Sequence, residues 1–277
     1  MAKETPFIFK SLLNRPTRPN KRLGQHFLTD QSVLKKITAA CRIELKDIIV
    51  EIGPGKGALT KYLAAYPNAI ITVEKDKALC ETLEQQFRNQ KNISIVRADV
   101  LRWNPIPAVS GKKYIVAGNI PYYITGKLIP MLLQSWPRPQ RIVLMVQKEV
   151  AGRMTAQPPH ASIMSIMTQA YAAPRILFSV PRTRFYPKPK VDSAVIELVP
   201  RQLIPINDQK GFKKLVCAGF SHPRKYCISN ICEKLPISKH ACAAARASIF
   251  IQPTARAQEV SLALWMKLFA LLKTQFF

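Results

Sequence analysis

The chain has 277 residues, enough for one α/β domain with a small appendage, and 48% of them are hydrophobic, enough to bury a full core. Forty-two Lys and Arg against sixteen Asp and Glu leave a formal net charge of +26, so the natural partner is a polyanion whose condensed counterions basic side chains release. No run approaches the ~18 apolar residues of a membrane span, and no basic amphipathic helix with an aromatic face stands out, which argues against a membrane protein.

Taken in chain order, Met1 to Asn20 lacks the apolar stretch of a signal peptide. Arg15, Arg18, Lys21 and Arg22 would suit an organellar presequence, but motif residues begin immediately afterwards, and the cytoplasm is the expected location. Short β-branched runs at Ile48–Ile52, Ala69–Val73, Ile93–Val96, Tyr114–Ala117 and Ile142–Val146 predict buried strands. Between them Ala58–Ala65, Lys77–Asn89 and Gly126–Gln134 carry helical apolar spacing, the rhythm of a doubly wound parallel sheet. Ser162–Tyr171 and Val191–Val199 are expected to add edge strands. Pro181 to Pro189 joins them and is too proline-rich for regular structure. After Pro200 the pattern turns helical, over Gly211–Phe220, Tyr226–Lys234, Ser238–Ile249 and Thr254–Phe276. The expected architecture is therefore a Rossmann-like α/β domain over residues 1–203 and a small all-helical domain over 204–277.

Chemistry concentrates at the strand ends. Glu51-Ile-Gly-Pro-Gly-Lys-Gly57 follows the first strand, and its glycines, Gly53 and Gly55 foremost, let backbone approach a ligand closely. A turn of this kind alone would serve a dinucleotide, S-adenosylmethionine, or no ligand at all. Glu74 closes the second strand, where an acid accepts both hydroxyls of a ribose, and Asp99 closes the third, within reach of an adenine amine. Acids at successive strand ends suit a sulfonium cation better than a pyrophosphate, which points to S-adenosylmethionine as cofactor. After the fourth strand come Asn119, Ile120, Pro121 and Tyr122. The lone pair of an adenine amine is delocalised into its ring. Two acceptors on its N–H groups, the Asn119 side-chain oxygen and the Ile120 carbonyl, would favour a pyramidal nitrogen aimed at a methyl donor. Pro121 biases Ile120 toward an extended conformation, and Tyr122 offers a stacking face for an extruded base. Such a transfer needs alignment more than a strong base.

The six cysteines contain no CxxC pair and no His at finger spacing; no metal site is expected, and they read as small buried hydrophobes in a reducing compartment.

These motifs resemble the KsgA/RsmA family of ribosomal RNA adenine dimethyltransferases over nearly the whole chain. Lys21-Arg-Leu-Gly-Gln-His-Phe-Leu28 is similar to the family's KxxGQNFL opening, and Val50 to Thr60 to VLEIGPGxGxLT. Gly118 to Thr125 is similar to GNLPYYIS, with Met145 to Arg153 (MVQKEVAGR) and Phe185 to Ser193 (FYPKPKVDS) equally close to family motifs. The resemblance implies cofactor contacts from His26, Leu28, Gly53, Glu74, Asp99 and Asn119, and stacking of the target base between Tyr122 and Phe185. It further implies a monomer acting on 16S rRNA in a precursor of the 30S subunit. His26 stands where the family usually has Asn. Lys56 sits between two glycines in place of an apolar residue, and Lys75 at the centre of Glu74-Lys-Asp76. Phe220 to Lys225 keeps the basic pair of the family's FxxRRK, Arg224 and Lys225, a candidate RNA contact.

Three rival readings share part of this pattern. A 23S rRNA adenine methyltransferase of macrolide resistance has the same fold and the NIPY run, and Ile120 leans toward it; YYIT, QKEVAGR and FYPKPKVDS lean the other way. A DNA adenine methyltransferase would leave the KxxGQ opening unexplained. A non-catalytic ribosome assembly factor would have no use for intact Glu74, Asp99 and Asn119.

Overall fold

The computed structural model describes residues 24–275; Arg15, Arg18, Lys21 and Arg22 lie outside them. Packing divides the chain into two compact units, one running through Lys148 together with Leu177–Leu198, the other comprising Glu149–Ile176 and the residues from Val199 onward.

In the first unit, β1 (Phe27–Leu28) leads into α1 (Gln31–Cys41), whose start is fixed by Asp30 accepting from the Ser32 and Val33 amides at 2.8 and 3.1 Å. Strands β2 (Ile48–Ile52), β3 (Ile70–Glu74), β4 (Ile93–Arg97), β5 (Tyr114–Asn119) and β6 (Arg141–Gln147) alternate with helices. These are α2 (Ala58–Leu63), α3 (Lys77–Gln86), the short α4 (Ile106–Val109) and α5 (Thr125–Gln134); α6 (Lys148–Thr155) follows β6 and belongs, from Glu149 on, to the second unit. The five strands pair in parallel, and β9 (Ser193–Pro200) joins antiparallel to β6. With β7 (Ala172–Val180) the sheet order is β4-β3-β2-β5-β6-β9-β7. A separate two-residue ribbon pairs β1 with β8 (Phe185–Tyr186).

All of β2 is buried, as expected of a central parallel strand covered on both faces. Ile52 lies beside Gly118 of β5, and a Cβ on Gly118 would collide with the Ile52 carbonyl oxygen, so only glycine allows the two strand ends to close up. Gly53, Gly55 and Gly57 all take positive φ (66°, 59° and 76°), the tight turn that carries β2 into α2.

The second unit contains α7 (Ile163–Tyr171), α8 (Gln209–Gly219), α9 (Cys227–Lys234), α10 (Lys239–Ser248) and α11 (Leu262–Leu272). Its centre is the fully buried Trp265, stacked on Phe220 at 5.8 Å, with Phe212 and Phe269 edge to face at 5.6 Å. This unit takes in more than the helices expected beyond residue 203. The Arg201 guanidinium donates to the Gln169 carbonyl at 3.0 Å and the Leu203 amide to Ala170 at 3.2 Å, tying α7 to the C-terminal segment.

Three local expectations are corrected. Ser162–Tyr171 is helix, not edge strand: Ser162 caps α7 by accepting from the Ser165 amide, and the Ser165 hydroxyl accepts in return from the Ser162 amide. The proline stretch hides the two-residue strand β8. Helix α11 begins at Leu262 rather than Thr254, because Ser261 supplies its cap, accepting from the Leu264 amide at 3.3 Å.

Candidate active site

One cavity of about 420 Å³ opens at the C-terminal ends of the parallel strands, the position where α/β sheets hold ligands. Glycine-turn residues Gly53 and Gly55 border it, as do Glu74, Asp99, Asn119, Ile120, Pro121 and Tyr122 from the strand ends and His26 and Leu28 from the N-terminal ribbon. Residues scattered over a hundred positions of sequence thus meet at one site.

Glu74, 8% exposed, is held by three backbone donors: the Lys75 and Asp76 amides at 2.8 and 2.9 Å on one oxygen and Gly55 at 3.2 Å on the other. Burial pushes its carboxyl above the usual range, and the three amides oppose that shift. Its orientation is set before any ligand arrives, and the oxygen that takes only the Gly55 amide keeps capacity for a hydroxyl donor. Asp99 accepts from the Leu101 amide at 3.0 Å and from the Lys75 ammonium at 3.0 Å. Burial acts upward on Asp99, but these donors outweigh it and hold the carboxyl below its ordinary value. The unusual Lys75 is thereby accounted for as the ion-pair partner of Asp99. Lys56, the other basic newcomer, lies over the Phe27 ring at 5.1 Å.

Asn119 donates through its side-chain nitrogen to the His26 carbonyl at 3.0 Å, which leaves the amide oxygen as the group able to accept from a ligand. The His26 ring bonds the Pro187 carbonyl through Nδ1 at 2.7 Å; a carbonyl only accepts, so Nδ1 carries the proton. Tyr122 packs near-parallel to the His26 ring, centroids 6.1 Å apart, and its hydroxyl bonds the Ser193 hydroxyl at 2.8 Å. The opening, NIPY and FYPKPKVDS motifs therefore lock one another in place.

One expected site residue, Phe185, is not itself part of the cavity wall, although Leu28, Leu34 and Ile37 of its core cluster are. Phe185 is 5% exposed and packs in the core with Leu28, Leu34, Ile37 and Val180; its neighbour Tyr186 borders the cavity and is 67% exposed. Strand alternation is the cause, and it was hidden because the proline stretch gave no sign of a strand. A further residue escaped notice, Glu51. Only 1% exposed, it borders the cavity, accepts from the Thr60 hydroxyl at 2.6 Å, and has its carboxyl pushed up to about 8 by burial. Its strand position between apolar residues was the available signal.

Among the described residues no group of His, Cys, Asp and Glu is arranged to hold a metal ion, and no helix is long and apolar enough to cross a membrane. The six cysteines are unbridged, four of them buried. Arg224 is exposed, while Lys225 pairs with Glu233 at 2.8 Å.

Comparison with known proteins places this site in context. The model of the family "Ribosomal RNA adenine dimethylase" matches residues 17–274. "Ribosomal RNA small subunit methyltransferase A" of Dehalococcoides mccartyi is 35% identical over 254 residues, 91% of this chain and 87% of that relative. The protein of the same name from a Picosynechococcus species is 37% identical over 265 residues, 91% and 96% of the two chains. Among solved structures, the 23S rRNA methyltransferase ErmE superposes with a TM-score of 0.73 at 26% identity, covering 89% of this chain and 99% of its own. A Plasmodium falciparum dimethyladenosine transferase shares the fold, with a TM-score of 0.77 at 24% identity over 91% and 100% of the chains. With a family model spanning nearly its full length and the strand-end acids and NIPY run gathered around one cavity, the chain belongs to the ribosomal RNA adenine dimethylase family.

Proposed function

We propose that this protein uses S-adenosylmethionine to dimethylate the exocyclic N6 amines of two adjacent adenosines in the 3′-terminal hairpin loop of 16S rRNA. The substrate is the 30S particle or its precursor, and the modification belongs to small-subunit biogenesis in the cytoplasm. The enzyme acts as a monomer. The observation that carries the reading is Asn119, whose amide nitrogen is committed to His26 and whose oxygen therefore serves as acceptor beside two oriented carboxylates.

The residues suit the cofactor. A cavity of about 420 Å³ falls in the range of small-molecule sites. Glu74 would accept from the ribose hydroxyls and Asp99 from the adenine amine, with the Gly53–Gly55 turn allowing close backbone approach. Bound S-adenosylmethionine supplies an electrophilic methyl group on a sulfonium. The chain's own contribution is alignment: the Asn119 oxygen and the Ile120 carbonyl accept the two N–H groups of the target amine, while Tyr122, fixed by Ser193, bears on the base. After one methylation the amine keeps a single N–H, so one acceptor suffices in the second round. A loop adenine is already partly unstacked and costs less to extrude than one in a duplex.

The small-subunit substrate is favoured by the names of the relatives at 35–37% identity over about nine-tenths of the chain. The 23S rRNA alternative draws on the likeness to ErmE. Asn119→Ala tests the chemistry: S-adenosylmethionine affinity is expected to stay within about tenfold while methyl transfer falls by roughly 10² or more. Near wild-type turnover in this variant would refute the assignment.

A further inference from the structure

We propose that Phe250, in the loop between α10 and α11, stacks on an unpaired base of the RNA substrate. Phe250 is not part of the cavity wall, so this base is other than the one methylated. The inference rests on the reading of the substrate as RNA and adds to it a contact made by the helical unit.

The residue stands where a helix end favours glycine. The Phe250 amide donates to the Ala247 carbonyl and the Ile251 amide to the Arg246 carbonyl, both at 3.1 Å. This pair of bonds closes a helix over a residue in the left-handed conformation, and Phe250 has a φ of 59°. A Cβ crowds the backbone there, and a bulky side chain at that φ is an outlier. Packing does not repay the strain. Phe250 is 89% exposed, whereas Ile251 beside it is 4% exposed and holds the loop down. The Arg246 guanidinium locks the same turn by donating to the Ile251 carbonyl at 2.8 Å. Strain that local packing leaves uncompensated points to a use outside the fold.

The surroundings say what that use is. Between Ser238 and Ser261, Phe250 is the one large apolar side chain that is exposed, and Ser248, Gln252, Pro253 and Thr254 are exposed around it. A lone ring is too small for a protein docking patch, but an unpaired base needs only one aromatic face. The charge agrees. The Cys227 amide donates to the Ala255 carbonyl at 2.8 Å, which pins the loop against the start of α9, just after the exposed Arg224. Arg256 in the loop is exposed as well, and the acids of this unit are Glu149, Asp208, Glu233 and Glu259 alone. An exposed aromatic beside cations on a pinned backbone suits a base together with its phosphates.

The test uses the full chain and undermethylated 30S particles. Three quantities are measured: particle Kd, S-adenosylmethionine Kd by calorimetry, and thermal midpoint. In Phe250→Gly the particle Kd is expected to rise roughly 5–100-fold, the usual worth of one base–aromatic stack. The midpoint holds or rises, because glycine relieves the strain, and the cofactor Kd stays at the wild-type value. Phe250→Trp keeps particle affinity and Phe250→Leu loses it, since a flat ring and not an apolar volume is required. Wild-type particle affinity in Phe250→Gly overturns the proposal. Full affinity in Phe250→Leu overturns it too, as the mark of an apolar protein pocket, and so does a lowered midpoint in Phe250→Gly, as the mark of a ring that holds the fold. Failure of the underlying RNA reading shows separately, as wild-type protein that yields no methyladenosine on any rRNA substrate.

Discussion

At the scale of single residues, the polar groups of the cavity are held in place by hydrogen bonds from within the chain. Glu74 is oriented by three amides, Asp99 by an amide and an ammonium, and Asn119 by a carbonyl. Glu51 is the exception, a carboxyl buried beside the same cavity whose donors, the Thr60 hydroxyl and backbone amide, do not offset its burial, so that its pKa is pushed up to about 8 from 4.5. Between those two values the folded protein keeps a proton that the unfolded chain has shed. Stability therefore falls as pH rises through this window and levels off above about 8. Glu51→Gln keeps an acceptor for Thr60 and removes the titration. Its thermal midpoint, followed from pH 5 to about 8, is expected to decline less than that of the wild type; parallel curves would contradict the burial argument.

At the scale of elements, the close approach of β2 and β5 positions Asn119. Gly118 abuts the Ile52 carbonyl, so Gly118→Ala forces the strand ends apart immediately before the acceptor. A loss of roughly 1–3 kcal/mol in stability is expected, as for other overpacked sites. Methyl transfer should drop further than cofactor affinity; denaturant titration and kinetics together check this, and wild-type values of both would show that the strand ends have slack. The parallel strands were legible because buried β-branched runs bounded by turns leave few alternatives, and the shared cavity was legible because Glu74, Asp99 and Asn119 stand at the ends of those runs. What escaped has local causes. In α7 the apolar positions Ile163, Ile166, Met167 and Ala170 follow helical spacing, yet the segment is short and apolar enough to pass for a strand. A two-residue strand such as β8 has no period at all, and its partner β1 lies more than 150 positions away, so the inward turn of Phe185 and the outward turn of Tyr186 were unreadable.

At the scale of the whole molecule, the +26 charge and the sheet-end cavity point to the same partner. Each phosphate that a Lys or Arg side chain neutralises releases counterions, so binding to RNA is expected to weaken steeply as salt rises. The helical unit exposes Arg224, while Lys225 of the same family-like basic pair is already engaged by Glu233. The central claim is the identity of the methylated nucleoside and its location. Labelled methyl groups from S-adenosylmethionine should be offered, in parallel, to undermethylated 30S particles, 50S particles and naked 23S rRNA, and the product nucleosides analysed. The prediction is N6,N6-dimethyladenosine at two adjacent positions of 16S rRNA, formed on the 30S particle; label confined to 23S rRNA, or no dimethyladenosine on any substrate, would contradict it.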